Sequence, residues 1–235
     1  MQCVILAGGL GTRMRPLTEG CPKTLLPVHG RPFAYHQMYW LAAQDVTDVV
    51  YCIGHQGEMI RRYWEAEHSP IEHLRYVDEG ACLRGTGGAL RLAYDQGALD
   101  ESFFVMYGDS FLPVAFAPVW DAFEASGQPA LMTVLHNDGR WDRSNVIYKD
   151  GHIVLYDKSG SAAMHHIDYG LLAFRREALA DQPDVFDLAG LLHSLSREGR
   201  LAGFEVEKRF YEVGSVAGLR DLEHFLQETD ATVTF

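Results

Sequence analysis

Residues 6–18 read Leu-Ala-Gly-Gly-Leu-Gly-Thr-Arg-Met-Arg-Pro-Leu-Thr, and Pro22-Lys23 follows shortly afterwards. The stretch comes directly after the apolar run Cys3-Val-Ile-Leu6, which is typical of a buried strand. A loop with three glycines lets backbone N–H groups approach an anion closely, and its two arginines and Lys23 supply positive charge. The sequence therefore predicts a strand that runs into a triphosphate-binding loop.

This loop differs from two common phosphate-binding motifs. It lacks the GxxxxGK[ST] pattern of a Walker A loop, and Met14 stands where a dinucleotide-binding GxGxxG sequence has its last glycine. No acidic residue fits the position about 20 residues further on that contacts the ribose in dinucleotide-binding folds. A nucleoside triphosphate is therefore better supported as the ligand than a dinucleotide.

The composition is that of an ordinary folded protein. The 235 residues are 47% hydrophobic and 22% charged, which excludes collagen-like, low-complexity and disordered classes. The 32 acidic and 20 basic residues leave a net charge of −12, whose field repels nucleic acid and anionic membranes. No apolar run reaches about 18 residues, and the amino-terminal residues lack the basic segment of a signal peptide. We therefore expect a cytoplasmic protein without nucleic-acid or membrane partners and with four reduced cysteines, Cys3, Cys21, Cys52 and Cys82.

Apolar runs alternate with longer amphipathic stretches in the first half of the chain. The predicted buried strands are residues 3–6, 48–53, 74–77, 103–107 and 130–135. The helices predicted between them are residues 32–43, 56–67 and 86–94. This alternation predicts an α/β fold, with a Rossmann-like, mainly parallel sheet covered by helices on both faces.

The pattern changes after about residue 140, where a β-hairpin is expected. Residues 145–148 and 152–156 flank Asp150-Gly151, a strong turn signal. The elements predicted after it are a strand at 167–174, a helix at 185–197, a strand at 203–206 and a helix at 216–226. Because neither a repeat nor a linker interrupts the chain, residues 1–235 are predicted to be a single domain with the hairpin as a substrate-binding extension.

Three further groups of residues suit ligand binding. Gly85-Thr-Gly-Gly-Ala89 opens a predicted helix whose bare N–H groups suit a nucleobase or ribose, although close packing of the helix on the sheet also accounts for the glycines. Asp78 and Glu79 offer carboxylates to the amino groups of guanine or cytosine, unless they are simply solvated. Asp109 follows a central strand, where it would hold Mg²⁺ together with substrate phosphates or, alternatively, cap a helix.

The first loop resembles the signature LAGGxGTRxxPLT, followed by PK, of the sugar-1-phosphate nucleotidyltransferases. The resemblance implies an enzyme that joins a nucleoside triphosphate to a sugar 1-phosphate and releases pyrophosphate. It implies a nucleotide-diphospho-sugar transferase fold, with a nucleotide-binding half at 1–136 and a sugar-phosphate-binding half at 137–235. It also implies that Arg13 and Lys23 stabilise the transferring and leaving phosphates. The residues that it implies bind the nucleotide are Leu6, Ala7, Gly8, Gly9, Gly11, Thr12, Glu79, Gly85, Thr86 and Gly87.

A later segment is similar to the part of the family's site that carries the second metal ligand. Phe210-Tyr-Glu-Val-Gly-Ser215 matches a motif in which a hydrophobic residue precedes Asp-x-Gly-Thr. Glu212 stands at the aspartate position, so the resemblance implies that Glu212 binds Mg²⁺ beside Asp109. The longer side chain changes the geometry of that site.

The resemblance extends to the acceptor side of the site. Tyr156-Asp-Lys158 is similar to a Glu-Lys pair, which implies that Lys158 contacts the sugar phosphate and that the preceding acid contacts the sugar. Ile167-Asp-Tyr-Gly170 matches a segment that lines the sugar pocket, so its aspartate is expected to bind a hydroxyl or a positively charged group. Ordinary turn or surface roles remain open for these side chains. The residues predicted to bind the sugar are Asn145, Asp157, Asp168 and Gly170.

The favoured substrates are GTP and a heptose or hexose 1-phosphate, because of Asp78 and Glu79. The alternatives are uridylyl transfer to N-acetylmuramate or hexose 1-phosphate, cytidylyl transfer to a small phosphorylated alcohol such as phosphocholine, and a non-catalytic regulatory subunit that binds nucleotide sugars. The expected reaction is in-line attack of the acceptor phosphate on the α-phosphorus, with Mg²⁺ as the cofactor. A homodimer is left open as the assembly.

Overall fold

The computed structural model describes residues 1–230, apart from the side chains of Arg13 and Asp230. The predicted role of Arg13 therefore lies outside the described part. The strands in that part are β1 (Gln2–Leu6), β2 (Pro27–Val28), β3 (Arg31–Pro32), β4 (Asp48–Ile53), β5 (His73–Asp78), β6 (Ser102–Tyr107), β7 (Ser110–Phe111), β8 (Ala130–His136), β9 (Val146–Lys149), β10 (His152–Tyr156), β11 (His166–Arg175), β12 (Leu201–Val206) and β13 (Tyr211–Glu212). The α-helices are α1 (Phe33–Ala43), α2 (Gly57–Glu67), α3 (Gly85–Asp95), α4 (Phe116–Ser126), α5 (Leu188–Arg197) and α6 (Val216–Asp230).

Nine strands form one sheet in the order β5-β4-β1-β6-β11-β8-β12-β10-β9. Strands β5, β4, β1 and β6 pair in parallel, and so do β8 and β12. Strand β11 runs antiparallel between β6 and β8. The four strands on one side of β11 therefore run in the same direction as β8 and β12 on its other side. The predicted α/β fold is confirmed, but the sheet is mixed, because β11 and β10 both run antiparallel to their neighbours in its second half.

Strand β1 lies at the centre of the parallel half and is buried along its whole length. Its alternate residues point to opposite faces. Cys3 and Ile5 pack into one hydrophobic cluster, whereas Val4 and Leu6 pack into another. The two clusters are the two layers between the sheet and its covering helices. Burial on both faces explains why this strand reads as an uninterrupted apolar run rather than an alternating one.

The predicted hairpin is confirmed as β9 and β10, which pair antiparallel. It is continuous with the main sheet, because β10 also pairs with β12 and β9 also pairs with β11. Helix α5 begins at Leu188, three residues later than predicted, since the Asp187 side chain accepts a hydrogen bond from the Ala189 N–H and caps the helix. Helix α4 is absent from the prediction. It buries Phe116, Val119 and Phe123 against the sheet.

A two-stranded sheet of β7 and β13 joins the late part of the chain to the end of β6. Helix α6 packs there through Leu222 and Leu226, which share a cluster with Phe33, Phe111 and Val213. Burying each of these larger side chains stabilises the fold by roughly 1.5–3 kcal/mol. The cluster thus holds β13 against β7.

No helix among the described residues is both long and apolar enough to span a membrane. All four cysteines are free thiols, and those at positions 3 and 52 are buried. Burial raises the pKa of both buried thiols far above the usual range, so they stay protonated and unreactive.

Candidate active site

A cleft of about 280 Å³ opens at the carboxyl ends of the parallel strands. This is the edge at which open α/β sheets bind ligands. The residues that line it come from the glycine-rich loop after β1, the start of α3, and the segment after β6. They are Leu6, Ala7, Gly8, Gly9, Gly11, Pro22, Lys23, Thr24, Glu79, Leu83, Gly85, Thr86, Ala89, Tyr107, Gly108 and Asp109.

Most of the predicted nucleotide-binding residues line this cleft. Eight of the ten are there, and Thr12 and Gly87 are not. The loop lies close to its neighbours, because a Cβ at Gly8 would overlap the Glu79 carboxylate. Gly11 has a φ of 63°, which favours glycine, and its carbonyl accepts a hydrogen bond of 2.8 Å from the Thr18 hydroxyl. The glycines therefore leave the loop backbone accessible to a ligand. The hydrogen bond from Thr18 to Gly11 closes the loop.

Lys23 and Asp109 form an ion pair inside the cleft. Lys23 Nζ lies 2.8 Å from Asp109 Oδ2, and 16% of the lysine side chain and 26% of the aspartate side chain are exposed. The two residues are 86 positions apart in the chain. Charges this sheltered interact more strongly than exposed ones and keep a defined geometry. A predicted phosphate-binding cation and a predicted metal ligand thus meet at one point.

Glu212 is brought to the same edge by the small sheet. It pairs with Ser110 in the β13–β7 register, and the next residue, Val213, donates its N–H to the Asp109 carbonyl at 2.8 Å. Asp109, directly before β7, and Glu212, on the neighbouring strand β13, suit Mg²⁺, which binds one or two carboxylates and takes its other ligands from water and substrate phosphates. No group of three or more metal-ligating side chains occurs among the described residues. Binding of Mg²⁺ by Asp109 and Glu212 would therefore need the phosphates of the substrate as further ligands.

The glycines at the start of α3 divide between two roles. Gly85 and Thr86 line the cleft. Gly87 and Gly88 instead donate their N–H groups, each at 3.1 Å, to the Phe186 carbonyl, and a Cβ at Gly87 would overlap the Phe186 ring. Close packing thus accounts for Gly87 and Gly88, whereas the nucleotide contacts of Gly85 and Thr86 stay predictions at positions that line the cleft. The predicted nucleotide contact of Gly87 stays a prediction.

Of the two acids before α3, only Glu79 lines the cleft. Its Oε2 accepts a hydrogen bond of 2.8 Å from the Arg84 N–H, and burial raises the pKa of its carboxyl group. Asp78 is exposed and accepts from the Gly80 N–H at 2.8 Å, which is an ordinary turn contact. Glu79 is therefore the acid available to a ligand.

The predicted sugar-binding residues lie together in the second half of the chain. Asn145 Oδ1 accepts the Asp168 N–H at 2.9 Å, and Asp168 Oδ1 accepts the Gly170 N–H at 3.0 Å. Gly170 has a φ of 96°, which this turn requires of glycine. Asp157 accepts from both the N–H and the hydroxyl of Ser159, so its carboxylate closes a local turn.

Asp168 has a shifted protonation equilibrium. Burial raises the pKa of its carboxyl group to about 6, although the Gly170 N–H and the charge of Lys158 favour the ionised form. Burial raises the pKa values of Tyr107 and Tyr156, and the negative charge of Asp168 raises them further. This carboxylate is therefore costly to ionise without a ligand that donates to it.

Asp168→Asn is expected to stabilise the protein at pH 7. The folded-state pKa lies above the ordinary value of 3.8, so the cost of ionising Asp168 is absent below about pH 4 and develops as the pH rises towards 6. The difference between these two pKa values corresponds to a gain in the free energy of unfolding on the order of 2–3 kcal/mol at pH 7. Urea unfolding between pH 4 and pH 7.5 measures it.

Asp157→Asn is the matched control. Hydrogen bonds from Ser159 lower the pKa of this neighbouring acid, so its removal should not stabilise the protein at pH 7. An Asp168→Asn variant with the same stability advantage at pH 4 as at pH 7 would contradict the assigned burial of the charge.

Several residues of the site carry no sequence motif. Tyr107, Gly108 and Leu83 line the cleft. Gly108 is required because a Cβ there would lie 2.8 Å from Ala7 Cβ, and its N–H donates to the Leu6 carbonyl at 2.9 Å. Its place directly before Asp109 is the one signal that could have identified it. The position of Leu83 depends on the fold of residues 79–85 and is not visible in the sequence.

The chain matches a family model described as nucleotidyl transferase over residues 2–143. A glucose-1-phosphate cytidylyltransferase of Salmonella typhimurium is 26% identical, over 87% of this chain and 88% of the relative. A D-glycero-alpha-D-manno-heptose 1-phosphate guanylyltransferase of Aneurinibacillus thermoaerophilus is 25% identical, over 90% and 88%. The solved structure of HddC from Yersinia pseudotuberculosis with GMP-PN has a TM-score of 0.81 at 22% identity and covers 96% of this chain and 99% of its own. That likeness shows the fold.

Proposed function

The chain belongs to the nucleotidyl transferase family, and on that premise we propose that it transfers a guanylyl group from GTP to a heptose or hexose 1-phosphate. As a member of this family it is a sugar-1-phosphate nucleotidyltransferase, whose substrates are a nucleoside triphosphate and a sugar 1-phosphate. The choice of GTP goes beyond what membership of the family implies. It is supported by Glu79 in the cleft and by guanylyl-transferring relatives.

The observation that carries the proposed reaction is the sheltered pair of Lys23 and Asp109 beside the glycine-rich loop. Backbone N–H groups of the loop would bind the triphosphate, and Lys23 would offset negative charge on the transferring and leaving phosphates. Asp109 and Glu212 would hold Mg²⁺, which supplies charge neutralisation and orientation to the phosphates.

The acceptor needs no general base. A phosphate oxygen of the sugar 1-phosphate is already ionised at neutral pH and can attack the α-phosphorus directly as pyrophosphate leaves. Catalysis then consists of placing the two substrates in line and stabilising the charge that develops. Lys158 is the cation proposed to hold the attacking phosphate, with Asn145, Asp157, Asp168 and Gly170 around the sugar.

A carboxylate can distinguish guanine from other bases because its two oxygens can accept hydrogen bonds from two adjacent donors of one base. Guanine presents adjacent N1–H and N2–H donors, whereas cytosine presents one amino group. Glu79 Oε2 already accepts from the Arg84 N–H, which orients the carboxylate within the cleft. Because the Glu79 side chain is partly buried, leaving one of its oxygens without a hydrogen-bond donor costs free energy. A base other than guanine would incur this cost on binding.

Glu79→Gln is expected to weaken the preference for GTP. The amide retains one acceptor oxygen, so the turn to Arg84 can persist, but it cannot accept two donors from guanine. The ratio of kcat/KM for GTP over CTP should fall by about 10- to 100-fold, in line with roughly 1–3 kcal/mol of discrimination per paired contact. Asp78→Asn is the matched control, because Asp78 does not line the cleft. An unchanged ratio would remove Glu79 from base selection.

Cytidylyl transfer is the second candidate, favoured by the 26% identical glucose-1-phosphate cytidylyltransferase. Pyrophosphate release separates the candidates when GTP, CTP, UTP and dTTP are each combined with mannose, glucose, heptose and N-acetylmuramate 1-phosphates and with phosphocholine. Turnover with GTP and a heptose or hexose 1-phosphate supports the proposal. Turnover confined to another pair replaces it.

A further inference from the structure

Asp187 connects parts of the cleft that come from distant regions of the chain. Its Oδ1 accepts the Thr86 hydroxyl at 2.9 Å and the Ala189 N–H at 3.1 Å. Its Oδ2 accepts Lys158 Nζ at 3.0 Å. Thr86 Oγ1 in turn accepts the Leu188 N–H at 3.0 Å. One carboxylate therefore holds the first turn of α5, a residue of the nucleotide cleft, and the lysine proposed to bind the acceptor phosphate.

The segment that carries Asp187 is anchored on both sides. The guanidinium Nη1 of Arg91, on α3, lies 2.7 Å from the Ala180 carbonyl and 2.6 Å from the Gln182 carbonyl. The carbonyl of Phe186, the residue before Asp187, accepts the N–H groups of both Gly87 and Gly88. These contacts fix the backbone of residues 180–187 against α3, at both its first turn and its middle. The Asp187 carboxylate is thus presented from a rigid support.

We propose that Asp187 is a positioning residue that orients the Lys158 ammonium for the acceptor phosphate and links it to Thr86 on the nucleotide side. The inference rests on the proposed function in one respect, that Lys158 binds the acceptor phosphate. The Asp187 carboxylate itself would not contact the reacting atoms. It acts by limiting where Lys158 and Thr86 can be.

The energetics favour positioning over stabilisation of the fold. The Lys158–Asp187 pair is 69% and 56% exposed, and exposed ion pairs contribute little to stability. Burial raises the pKa of Asp187, but hydrogen bonds from Ala189, Lys158 and Thr86 outweigh it and leave the pKa below its ordinary value. The carboxylate is therefore charged at neutral pH. Holding a flexible lysine in place before substrate arrives removes part of the entropy cost of binding.

Asp187→Asn separates these contacts. The amide oxygen can still accept from Ala189 and Thr86, so the cap of α5 is kept, but the uncharged amide no longer attracts the Lys158 ammonium. We expect the KM for the sugar 1-phosphate turned over fastest in the pyrophosphate assay to rise by about 3- to 10-fold. The KM for the triphosphate should change by less than about twofold and the Tm by less than about 3 °C, because the cap and the exposed pair change little.

Glu198→Gln is the matched control. Glu198 pairs with Arg200 at the same 3.0 Å and with similar exposure, 53% and 56%, at the other end of α5. It should leave both KM values unchanged. Lys158→Met tests whether Lys158 binds the acceptor phosphate. The double variant Asp187→Asn/Lys158→Met tests whether Asp187 acts through Lys158, since residues that act as one unit show non-additive effects. The double variant should be no worse than Lys158→Met.

The outcomes separate this inference from the proposed function. An unchanged acceptor KM in Lys158→Met contradicts the proposed role of Lys158. A raised acceptor KM in Lys158→Met together with wild-type values in Asp187→Asn overturns the positioning role of Asp187 alone. Equal increases in both KM values with a lower Tm in Asp187→Asn also overturn it, because that pattern reports a structural cap only.

Discussion

Lys23→Ala is expected to lower kcat by about 100- to 1,000-fold, the effect of removing one preorganised charge donor from a phosphate or oxyanion site. Lys23 lies in the cleft beside the glycine-rich loop, and its side chain is 16% exposed. A sheltered ammonium stabilises charge that develops in the transition state more strongly than one in bulk water, and it needs little reorganisation. Steady-state pyrophosphate release at saturating substrates measures the change.

Lys149→Ala is the control for the loss of a lysine. Lys149 is exposed at the end of β9, far in sequence from the cleft residues, and does not line the cleft. The kcat of the Lys149→Ala variant should equal that of the wild-type protein. A wild-type kcat in Lys23→Ala, with the protein folded by circular dichroism, would exclude Lys23 from the chemical step.

Asp109→Asn is expected to lower kcat/KM by at least about 100-fold at millimolar Mg²⁺. Two contributions add in the same direction. The amide is a poorer ligand for a hard divalent cation than a carboxylate, and it also removes the counter-charge that holds Lys23 Nζ at 2.8 Å. The Mg²⁺ concentration needed for half-maximal activity should therefore rise together with the loss of rate.

Asp150→Asn is the control for removing an aspartate. Asp150 lies in the hairpin turn with a φ of 49°, a conformation that asparagine also adopts readily. It should retain the wild-type Mg²⁺ dependence. If Asp109→Asn lost activity with no change in that dependence, its role would be restricted to orienting Lys23. Retention of full activity would exclude both roles.

Local sequence patterns were sufficient for the parallel half of the fold. Strand β1 reads as a buried apolar run because both of its faces are covered, and the loop after it is marked by glycines and cations within a few residues. The hairpin of β9 and β10 is marked by Asp150-Gly151, a turn that depends on the backbone of two residues. Such features depend on neighbours in the chain, so they can be predicted without the fold.

Contacts between distant residues could not be predicted in this way. The motif Gly85-Thr-Gly-Gly-Ala89 does not reveal that Gly87 packs against the Phe186 ring, about 100 positions later, or that Gly88 donates its N–H to the Phe186 carbonyl. The sequence pattern places Asp187 inside the helix predicted at 185–197, and its bonds to Thr86 and Lys158 appear only when three segments meet. Helix α4 follows Ala115, whose side chain cannot cap it, and Gly127 at its carboxyl end marks a turn without showing that a helix precedes it.

The sequence by itself determined the first strand, the glycine-rich loop and the residue types that suit a nucleoside triphosphate, because each is encoded within a short stretch. Only the tertiary structure decided which charged groups meet. Lys23 reaches Asp109 across 86 positions, and Glu212 reaches the same edge through the pairing of β13 with β7. Strand order and helix packing set those distances, and they arise from the burial of apolar surface throughout the chain rather than from any one motif.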